Sequence, residues 1–149
     1  MDDLVYVVVL NWNGESYIRE CLRSVLNQTY SRYRVVVVDN GSTDGSADLI
    51  REEFQEAFLI ALPDNLHFAR GTNAGIEAAL RDPACEFVVT LNNDTRSDPE
   101  FLSSFVKAAA GEHVGMVAAK LLFMDRPNVL NTTGICPTRD GSGVDRGWN

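Results

Sequence analysis

The sequence predicts an α/β fold in which helices cover both faces of a mostly parallel sheet. Segments of strand length alternate along the chain with segments whose apolar residues recur at helical spacing. Four consecutive valines occupy positions 35–38. Such an unbroken run of β-branched residues favours a strand that is covered on both faces, because it leaves the strand no polar face. The crossovers between parallel strands should be right-handed.

The first strand is predicted over residues 4–10, and it ends in the polar sequence Asn-Trp-Asn-Gly. A helix should begin at Glu15, directly after this polar sequence. Its apolar residues follow the i, i+3, i+4, i+7 spacing of one helical face. They are Ile18, Cys21, Leu22, Val25 and Leu26.

The valine strand should end at Asp39, because an Asn-Gly turn signal follows it. We expect Ser42 or Thr43 to cap a second helix over residues 43–54, with Asp44 near the positive end of that helix. This arrangement would place Asp39 at the carboxyl end of a central strand. Open α/β sheets bind their ligands in the crevice at that edge.

The remaining segments continue the alternation as far as residue 122. In chain order they are a strand over 58–62, a small-residue loop over 67–75, a helix from Ile76 that stops at Asp82-Pro83, a strand over 87–91, a helix capped by Asp98 before Pro99, and a last strand over 114–122. The tail over 138–149 shows no apolar period, and we expect it to be mobile. We therefore expect an α/β domain over residues 1–125 and a partly disordered segment over 126–149.

The composition limits the class of protein. The 149 residues carry a net charge of −8, which argues against nucleic-acid binding because such binding needs a basic surface. The sequence shows no signal-peptide pattern and no apolar run that could span a bilayer. The three cysteines lack zinc-ligand spacing, as expected of reduced thiols in a cytosolic protein.

Polar clusters follow three of the predicted strands. Because the carboxyl ends of parallel strands share one edge, we expect these clusters to converge. The turn after the first strand has neither the Gly-x-Gly-x-x-Gly of a dehydrogenase nor the Gly-x-x-x-x-Gly-Lys-Ser/Thr of a P-loop. The three clusters are Asn11-Trp12-Asn13, Asp39-Asn40 and Asn92-Asn93-Asp94.

Four segments that contain these clusters resemble family 2 glycosyltransferases of the GT-A fold, and most closely the rhamnosyltransferase-like branch. The resemblance covers residues 4–148, with the segments in the family's order and spacing. It implies a GT-A type fold that binds a nucleotide-diphospho-sugar, and transfer of the sugar to an acceptor with inversion. The segments are Leu10-Asn-Trp-Asn-Gly14, Val38-Asp-Asn-Gly-Ser-Thr-Asp-Gly45, Asn65-Leu-His-Phe-Ala-Arg-Gly-Thr-Asn-Ala-Gly75 and Leu91-Asn-Asn-Asp-Thr95.

The resemblance also implies roles for single residues. Asp39 corresponds to the aspartate that hydrogen-bonds the nucleotide base, and Asp94 to the last aspartate of the Asp-x-Asp metal motif. An ionised carboxylate only accepts hydrogen bonds, so Asp39 can bind a ring N–H of uracil or thymine. Mg²⁺ or Mn²⁺, held by Asp94 and Asn92, would stabilise the departing diphosphate. The implied nucleotide-binding residues are Asn11, Trp12, Asn13, Glu15, Asp39, Asn40, Asn73 and Asn93.

We therefore expect a UDP- or dTDP-linked donor and a saccharide or lipid-linked acceptor. The resemblance implies a part in cell-wall or polysaccharide biosynthesis. It also implies a cytoplasmic protein, with peripheral membrane association of the full-length enzyme as an alternative.

The sequence departs from the family pattern at three points. Asn92 replaces the first aspartate of the metal motif, which removes one charge. Thr72 stands where the family often has a basic residue, and Arg70 lies nearby. The carboxylate that acts as general base in an inverting reaction is expected beyond Asn149. This chain should therefore be the donor-binding half of a longer enzyme, with residues 126–149 as the start of its acceptor-side segment.

Alternatives remain open at the level of the sequence. Asp94 could be only a turn residue, and Trp12 could belong to the core or rim and not stack on a base. The chain could bind a nucleotide-sugar without turnover, in which case it would not hydrolyse the donor. A nucleotidyltransferase of similar topology is a third alternative, but the Gly-rich, basic turn that it requires is missing after the first strand.

Overall fold

The computed structural model describes residues 3–131, 135–139 and 143–145. The chain divides into two compact units, Met1–Lys107 and Ala108–Asn149. The first unit contains the predicted parallel sheet. We predicted that the α/β domain ends at residue 125 and that an acceptor-side segment follows; this boundary stays a prediction. Within the described ranges, no helix is both long enough and apolar enough to cross a bilayer.

The sheet of the first unit has four parallel strands in the order β3-β2-β1-β4. This confirms the predicted α/β class with a parallel sheet. The two central strands are almost entirely buried, as their unbroken apolar sequences predict. The strands are β1 (Leu4–Asn11), β2 (Tyr33–Asn40), β3 (Phe58–Leu62) and β4 (Cys85–Asn92).

Helices cover both faces of the sheet. On one face, Leu22 of the first helix, Ile50 of the second and Leu102 of the fourth pack into a core with valines of β1 and β2. On the other face, Ala79 of the third helix packs with Val8 and neighbouring apolar side chains. The helices are α1 (Glu15–Leu26), α2 (Ser46–Glu53), α3 (His67–Leu80) and α4 (Phe101–Ala109).

The small-residue loop predicted over 67–75 is wrong, because these residues form the first turns of α3. Glycine lowers helix propensity, which favoured the loop assignment. Here, however, a Cβ on Gly75 would lie 2.3 Å from Val8 Cγ1, and a Cβ on Gly71 would lie 2.8 Å from Leu10 Cδ1. The glycines allow α3 to lie directly on the sheet, and this packing outweighs their poor propensity.

The predicted cap of α2 is also wrong. The helix begins at Ser46, with Gly45 at the N-cap position and no side-chain cap hydrogen bond from that residue. The Ser42 hydroxyl instead accepts a hydrogen bond from the backbone N–H of Asn13 at 2.9 Å. Gly45 has a φ of +87°, a left-handed conformation that glycine adopts without a steric cost.

Asp98 lies three residues before Phe101, the first residue of α4. Its carbonyl oxygen accepts the N–H of Phe101, the first residue of the helix, and its carboxylate accepts the N–H of Glu100 at 2.9 Å. Asp98 therefore closes the turn before the helix, and Pro99 is not the first helical residue.

The last strand predicted over residues 114–122 does not form. The segment has only one isolated bridge, between Leu122 and Leu130. Backbone hydrogen bonds fold the following turn onto the end of the segment, from Asn131 N to Leu121 O and from Phe123 N to Val129 O. An apolar segment becomes a strand only where a neighbouring strand pairs with its backbone, and the composition of the segment does not show whether such a neighbour exists.

The second unit contains a short antiparallel pair that the sequence did not predict, β5 (Ile135–Pro137) and β6 (Gly143–Asp145). The tail expected to be mobile overlaps this pair. The remainder of that tail, at 140–142 and 146–149, lies outside the described residues.

Candidate functional site

The three polar clusters converge at the carboxyl edge of the sheet, as predicted from the parallel topology. The register sets Asn11 beside Asp39 on the neighbouring strand, and Leu10 beside Asn92 on the other side. The clusters therefore lie at adjacent strand ends, although up to 82 positions separate their residues in the chain.

A buried hydrogen-bond network joins the three strand ends, and Asn11 lies at its centre. Asn11 Nδ2 donates to Asp39 Oδ1 at 2.8 Å and to Ser46 Oγ at 2.9 Å. Asn11 Oδ1 accepts from Asn93 Nδ2 at 2.8 Å. Asn11 has no exposed surface, so its side chain contacts only other protein groups. Its predicted direct contact with the nucleotide has no support from this geometry.

Asp39 is buried, with 2% of its surface exposed, and it has two intramolecular donors. Asn11 Nδ2 binds one carboxylate oxygen, and the backbone N–H of Ser42 binds the other at 3.1 Å. A carboxylate offers about four lone-pair positions, so two remain. Asp39 can therefore accept a further hydrogen bond without losing its present partners.

Asn40, a predicted nucleotide contact, is buried and holds the turn before α3. Its Nδ2 donates to Asn65 Oδ1 at 3.0 Å and to the His67 carbonyl at 3.3 Å. Its Oδ1 accepts the N–H of Leu66 at 2.9 Å. These bonds use both amide hydrogens, so Asn40 positions the β3–α3 connection, and its nucleotide role stays a prediction.

Asp44 joins the N-termini of two helices. Its carboxylate accepts the N–H of Glu15 at 2.9 Å, and the N–H and hydroxyl of Ser46 at 3.0 and 2.5 Å. Desolvation acts to raise the pKa of Asp44, but these hydrogen bonds outweigh it and lower the pKa below its usual value. The ionised carboxylate therefore satisfies backbone donors at the positive ends of α1 and α2.

The other predicted site residues are more accessible. Trp12 is 54% exposed, which leaves its ring available for stacking. Asn13 accepts the N–H of Thr43 through its side chain at 2.8 Å. Asn93 is half-buried. The exposed residues of this group are Trp12, Asn13, Glu15, Asn73, Asn92 and Asp94.

The predicted metal ligands, Asn92 and Asp94, lie at the end of β4 and directly after it. Among the described residues there is no group of three or more His, Cys, Asp or Glu side chains that could hold a metal ion. Mg²⁺ and Mn²⁺ tolerate such a sparse set, because Mg²⁺ keeps several waters and is often held by one or two carboxylates with substrate phosphates. One exposed carboxylate and one amide oxygen therefore fit these ions only when a phosphate ligand is also bound.

Sequence reasoning missed several residues of the network. Ser46, which has no exposed surface, receives a hydrogen bond from Asn11, and Asn65 receives one from Asn40. Hydroxyl and amide residues near helix starts usually cap their own helix. Asn65 does accept the N–H of His67, the first residue of α3, at 2.7 Å. Both residues also bind side chains 25 to 35 positions away, however, and no local signal in the sequence indicates those partners.

A cavity lies elsewhere in the first unit. It has a volume of about 590 Å³ and lies near the first residues of β2 and β3, beside Tyr33, Arg34 and Phe58. This end of the strands is opposite to the carboxyl edge that carries the polar clusters. The cavity is therefore a separate feature from the candidate site.

Comparisons with known proteins support the family and the fold. A family model described as "Glycosyl transferase family 2" matches residues 6–141. Glycosyltransferase GlyA of Streptococcus pneumoniae is 31% identical over 111 residues, which cover 72% of this chain and 15% of GlyA.

Two solved structures extend the comparison. S. aureus TarS 1–349 in complex with UDP-GlcNAc superposes with a TM-score of 0.61 and 26% identity, covering 70% of this chain and 30% of TarS. The mannosyltransferase PcManGT from Pyrobaculum calidifontis, in complex with GDP-Man and Mn²⁺, gives a TM-score of 0.60 and 28% identity, covering 72% and 32%. The matched region is about a third or less of each of these proteins. The chain belongs to glycosyl transferase family 2 and has the GT-A type α/β fold of these structures.

Proposed function

We propose that this chain is the donor-binding region of an inverting glycosyltransferase that uses a nucleotide diphosphate-sugar. The observation that supports this most strongly is the hydrogen-bonded chain from Asp39 through Asn11 to Asn93. It joins a buried carboxylate that can accept a further hydrogen bond to the polar residues at the end of β4. A nucleotide diphosphate needs such a pair of neighbouring sites, one for its base and one for its phosphates.

The base would bind near Asp39. The carboxylate only accepts hydrogen bonds, and the N3–H of uracil or thymine is a matching donor. We therefore propose a UDP- or dTDP-linked donor. The exposed ring of Trp12 would stack on the base, and Asn13 and Glu15 would border the ribose.

The diphosphate would lie beside Asn92 and Asp94. Bound Mg²⁺ or Mn²⁺ would act as a Lewis acid on the phosphate oxygens and stabilise the leaving group. Asp94 would supply the carboxylate to the ion and Asn92 an amide oxygen. The Mn²⁺ named with PcManGT supports this proposal by similarity. Asn73, which is exposed on α3, would also border the nucleotide.

We further propose transfer of a hexose to a saccharide or lipid-linked acceptor in the cytoplasm, as part of cell-wall or polysaccharide synthesis. Inversion requires a general base that takes the proton of the acceptor hydroxyl. We assign that base to none of the described residues.

Two experiments test the proposal in sequence. Calorimetry with UDP, dTDP and GDP in the presence of Mn²⁺ should show binding of the uracil or thymine nucleotide. Failure of all three nucleotides to bind would contradict the donor site. Slow release of nucleoside diphosphate from a nucleotide-sugar without acceptor would support a transferase, whereas binding without any hydrolysis would favour a nucleotide-sugar-binding module.

A further inference from the structure

Asn11 lies at the centre of the hydrogen-bond network, where it can position other residues without contacting a ligand itself. Its side chain is fully buried, yet it touches both Asp39 and Asn93. The Asn11 side chain has no exposed surface to offer a nucleotide, but it can orient the neighbouring side chains that contact one.

The orientation of the Asn11 amide is fixed by its neighbours. Asp39 only accepts hydrogen bonds, and the Ser46 hydroxyl uses its own hydrogen toward Asp44. Both therefore require the Asn11 nitrogen on their side, at 2.8 and 2.9 Å. The Asn11 carbonyl oxygen must then lie on the opposite side of the amide.

This orientation determines the orientation of Asn93 in turn. The Asn11 oxygen needs a donor, and Asn93 supplies its Nδ2 at 2.8 Å. The amide oxygen of Asn93 and its second Nδ2 hydrogen then remain for other partners. Asn93 is half-buried between the exposed residues Asn92 and Asp94. The hydrogen bond that Asp39 accepts is thus linked, through two amides, to the orientation of the Asn93 side chain.

Gly14 provides an independent sign that this hydrogen bond is tightly enclosed. A Cβ on Gly14 would lie 2.0 Å from Asn93 Nδ2 and 2.3 Å from Asn11 Oδ1, the two atoms of the bond. The φ of Gly14 is −107°, which any residue can adopt. The glycine at this position is therefore required by the space that the bond needs and not by the backbone conformation.

We propose that Asn11 is a positioning residue that holds the side-chain amide of Asn93 in one orientation, with its oxygen and its second N–H free to bind the nucleotide donor, and that Gly14 leaves the space for this contact. The proposal rests on the proposed function, because it assigns Asn93 to the donor site. Asn11 would influence nucleotide binding only through Asn93 and Asp39.

The test is a double-mutant cycle on the full chain, read as the Kd of UDP with Mg²⁺ by calorimetry. Asn11→Leu and Asn93→Ala should each weaken UDP binding about tenfold, the order expected for one lost hydrogen bond. The combined loss in the double variant should be smaller than the product of the two single losses, because Asn11 acts in part through Asn93. Melting temperatures confirm that each variant is folded at the temperature of the titration.

Gly14→Ala should disrupt the hydrogen bond between Asn11 and Asn93 while both asparagine side chains remain present. It should weaken UDP binding with both asparagines present, whereas Gly115→Ala, where a Cβ meets nothing within 4 Å, should leave the Kd unchanged. In the ligand-free protein, the Asn93 side-chain NH₂ signals in a ¹⁵N NMR spectrum should shift in Gly14→Ala and Asn11→Leu and not in Gly115→Ala.

The outcomes distinguish the proposal from the function on which it rests. If the unmodified chain binds none of UDP, dTDP and GDP, the proposed function fails and this role of Asn11 fails with it. If UDP binds but the losses of Asn11→Leu and Asn93→Ala add in full, Asn11 is only a structural residue and the proposal alone is overturned. Unshifted Asn93 NH₂ signals in both variants would overturn it in the same way.

Discussion

Asp44 accepts a hydrogen bond from the backbone amide of Glu15 at 2.9 Å, and so joins the start of α1 to the start of α2. The same carboxylate accepts the N–H of Ser46, the first residue of α2. Both helices follow strands that end in the candidate site, so Asp44 fixes the two turns on which several of the proposed nucleotide contacts lie.

Replacing Asp44 with alanine should therefore destabilise the protein in a pH-dependent way. The variant should lose about 1–3 kcal/mol of unfolding free energy at pH 7, because two helix-terminal N–H groups lose their acceptor. The folded pKa of Asp44 is lowered, so its stabilisation is present above the unfolded value of 3.8 and is lost as the pH falls through the folded value. The difference between variant and parent in urea melts should shrink from pH 7 to pH 3.

The exposed Asp48 on α2 provides the matched control. It forms a surface ion pair with Arg51 three residues further along the helix. Asp48→Ala should cost less than about 1 kcal/mol, as exposed ion pairs typically do. Equal losses for the two variants would show that Asp44 has no special role in joining the helices.

The thiol of Cys21 should be unreactive at neutral pH. Burial raises its pKa to about 11, although hydrogen bonding with Thr95 opposes the rise. Only the thiolate is nucleophilic, so at pH 8 roughly one molecule in a thousand is reactive at this residue. Alkylation of Cys21, followed by mass spectrometry of the labelled peptide, should accelerate about tenfold per pH unit until the pH nears that value. Rapid labelling at pH 8 would contradict the burial of this side chain.

Much of the fold can be predicted from the sequence, for reasons that the structure makes clear. The apolar runs of β1 and β2 are long enough to be buried on both faces, and this is a local property of the sequence. The start of α3 was mispredicted because Gly71 and Gly75 favour a loop by propensity, and only their close approach to the sheet explains the helix. The segment over 114–122 was mispredicted because a strand depends on a partner edge.

The candidate site also has features that the sequence predicts and features that it does not. The positions of Asp39, Asn93 and Asp94 at one edge of the sheet could be predicted, because they lie at the ends of strands that must converge in a parallel sheet. The burial of Asn11 and its bonds to Asp39 and Ser46 could not, since they depend on which side chains meet across the strands. A sequence pattern indicates which strand ends meet, but it does not indicate which polar side chains are buried or which of them bind each other.

Asp39→Ala should weaken nucleotide binding. It removes the proposed charge-assisted hydrogen bond to the base, worth about 1.5–3 kcal/mol, or roughly 10- to 150-fold in the Kd of UDP or dTDP. The same change removes the acceptor of Asn11 Nδ2 and of the Ser42 N–H, so a melting curve must accompany the calorimetry. Glu52→Ala, which removes an exposed carboxylate on α2, is the control. Unchanged affinity for both nucleotides would remove Asp39 from the base site.

Metal and nucleotide should bind with positive coupling. Asp94 is the only carboxylate of the motif at 92–94, so the ion depends on phosphate oxygens for further ligands. UDP should therefore bind more tightly with Mn²⁺ than with EDTA. Asp94→Asn should abolish that difference, and Asn92→Asp should enlarge it by adding a charge. By linkage, UDP should tighten Mn²⁺ binding by the same factor. Equal UDP affinity with metal and with chelator would contradict the metal assignment and leave Asp94 as only a turn residue.

The central claim is that the donor nucleotide binds at the carboxyl edge of the sheet, and titration of the ¹⁵N-labelled chain with UDP and Mg²⁺ tests it most directly. Amide signals should shift at residues 11–15, 39–46 and 92–95, where the three strand ends meet. Signals of Tyr33, Arg34 and Phe58, beside the cavity near the other end of the strands, should stay in place. Shifts at that cavity without shifts at the carboxyl edge would contradict the account.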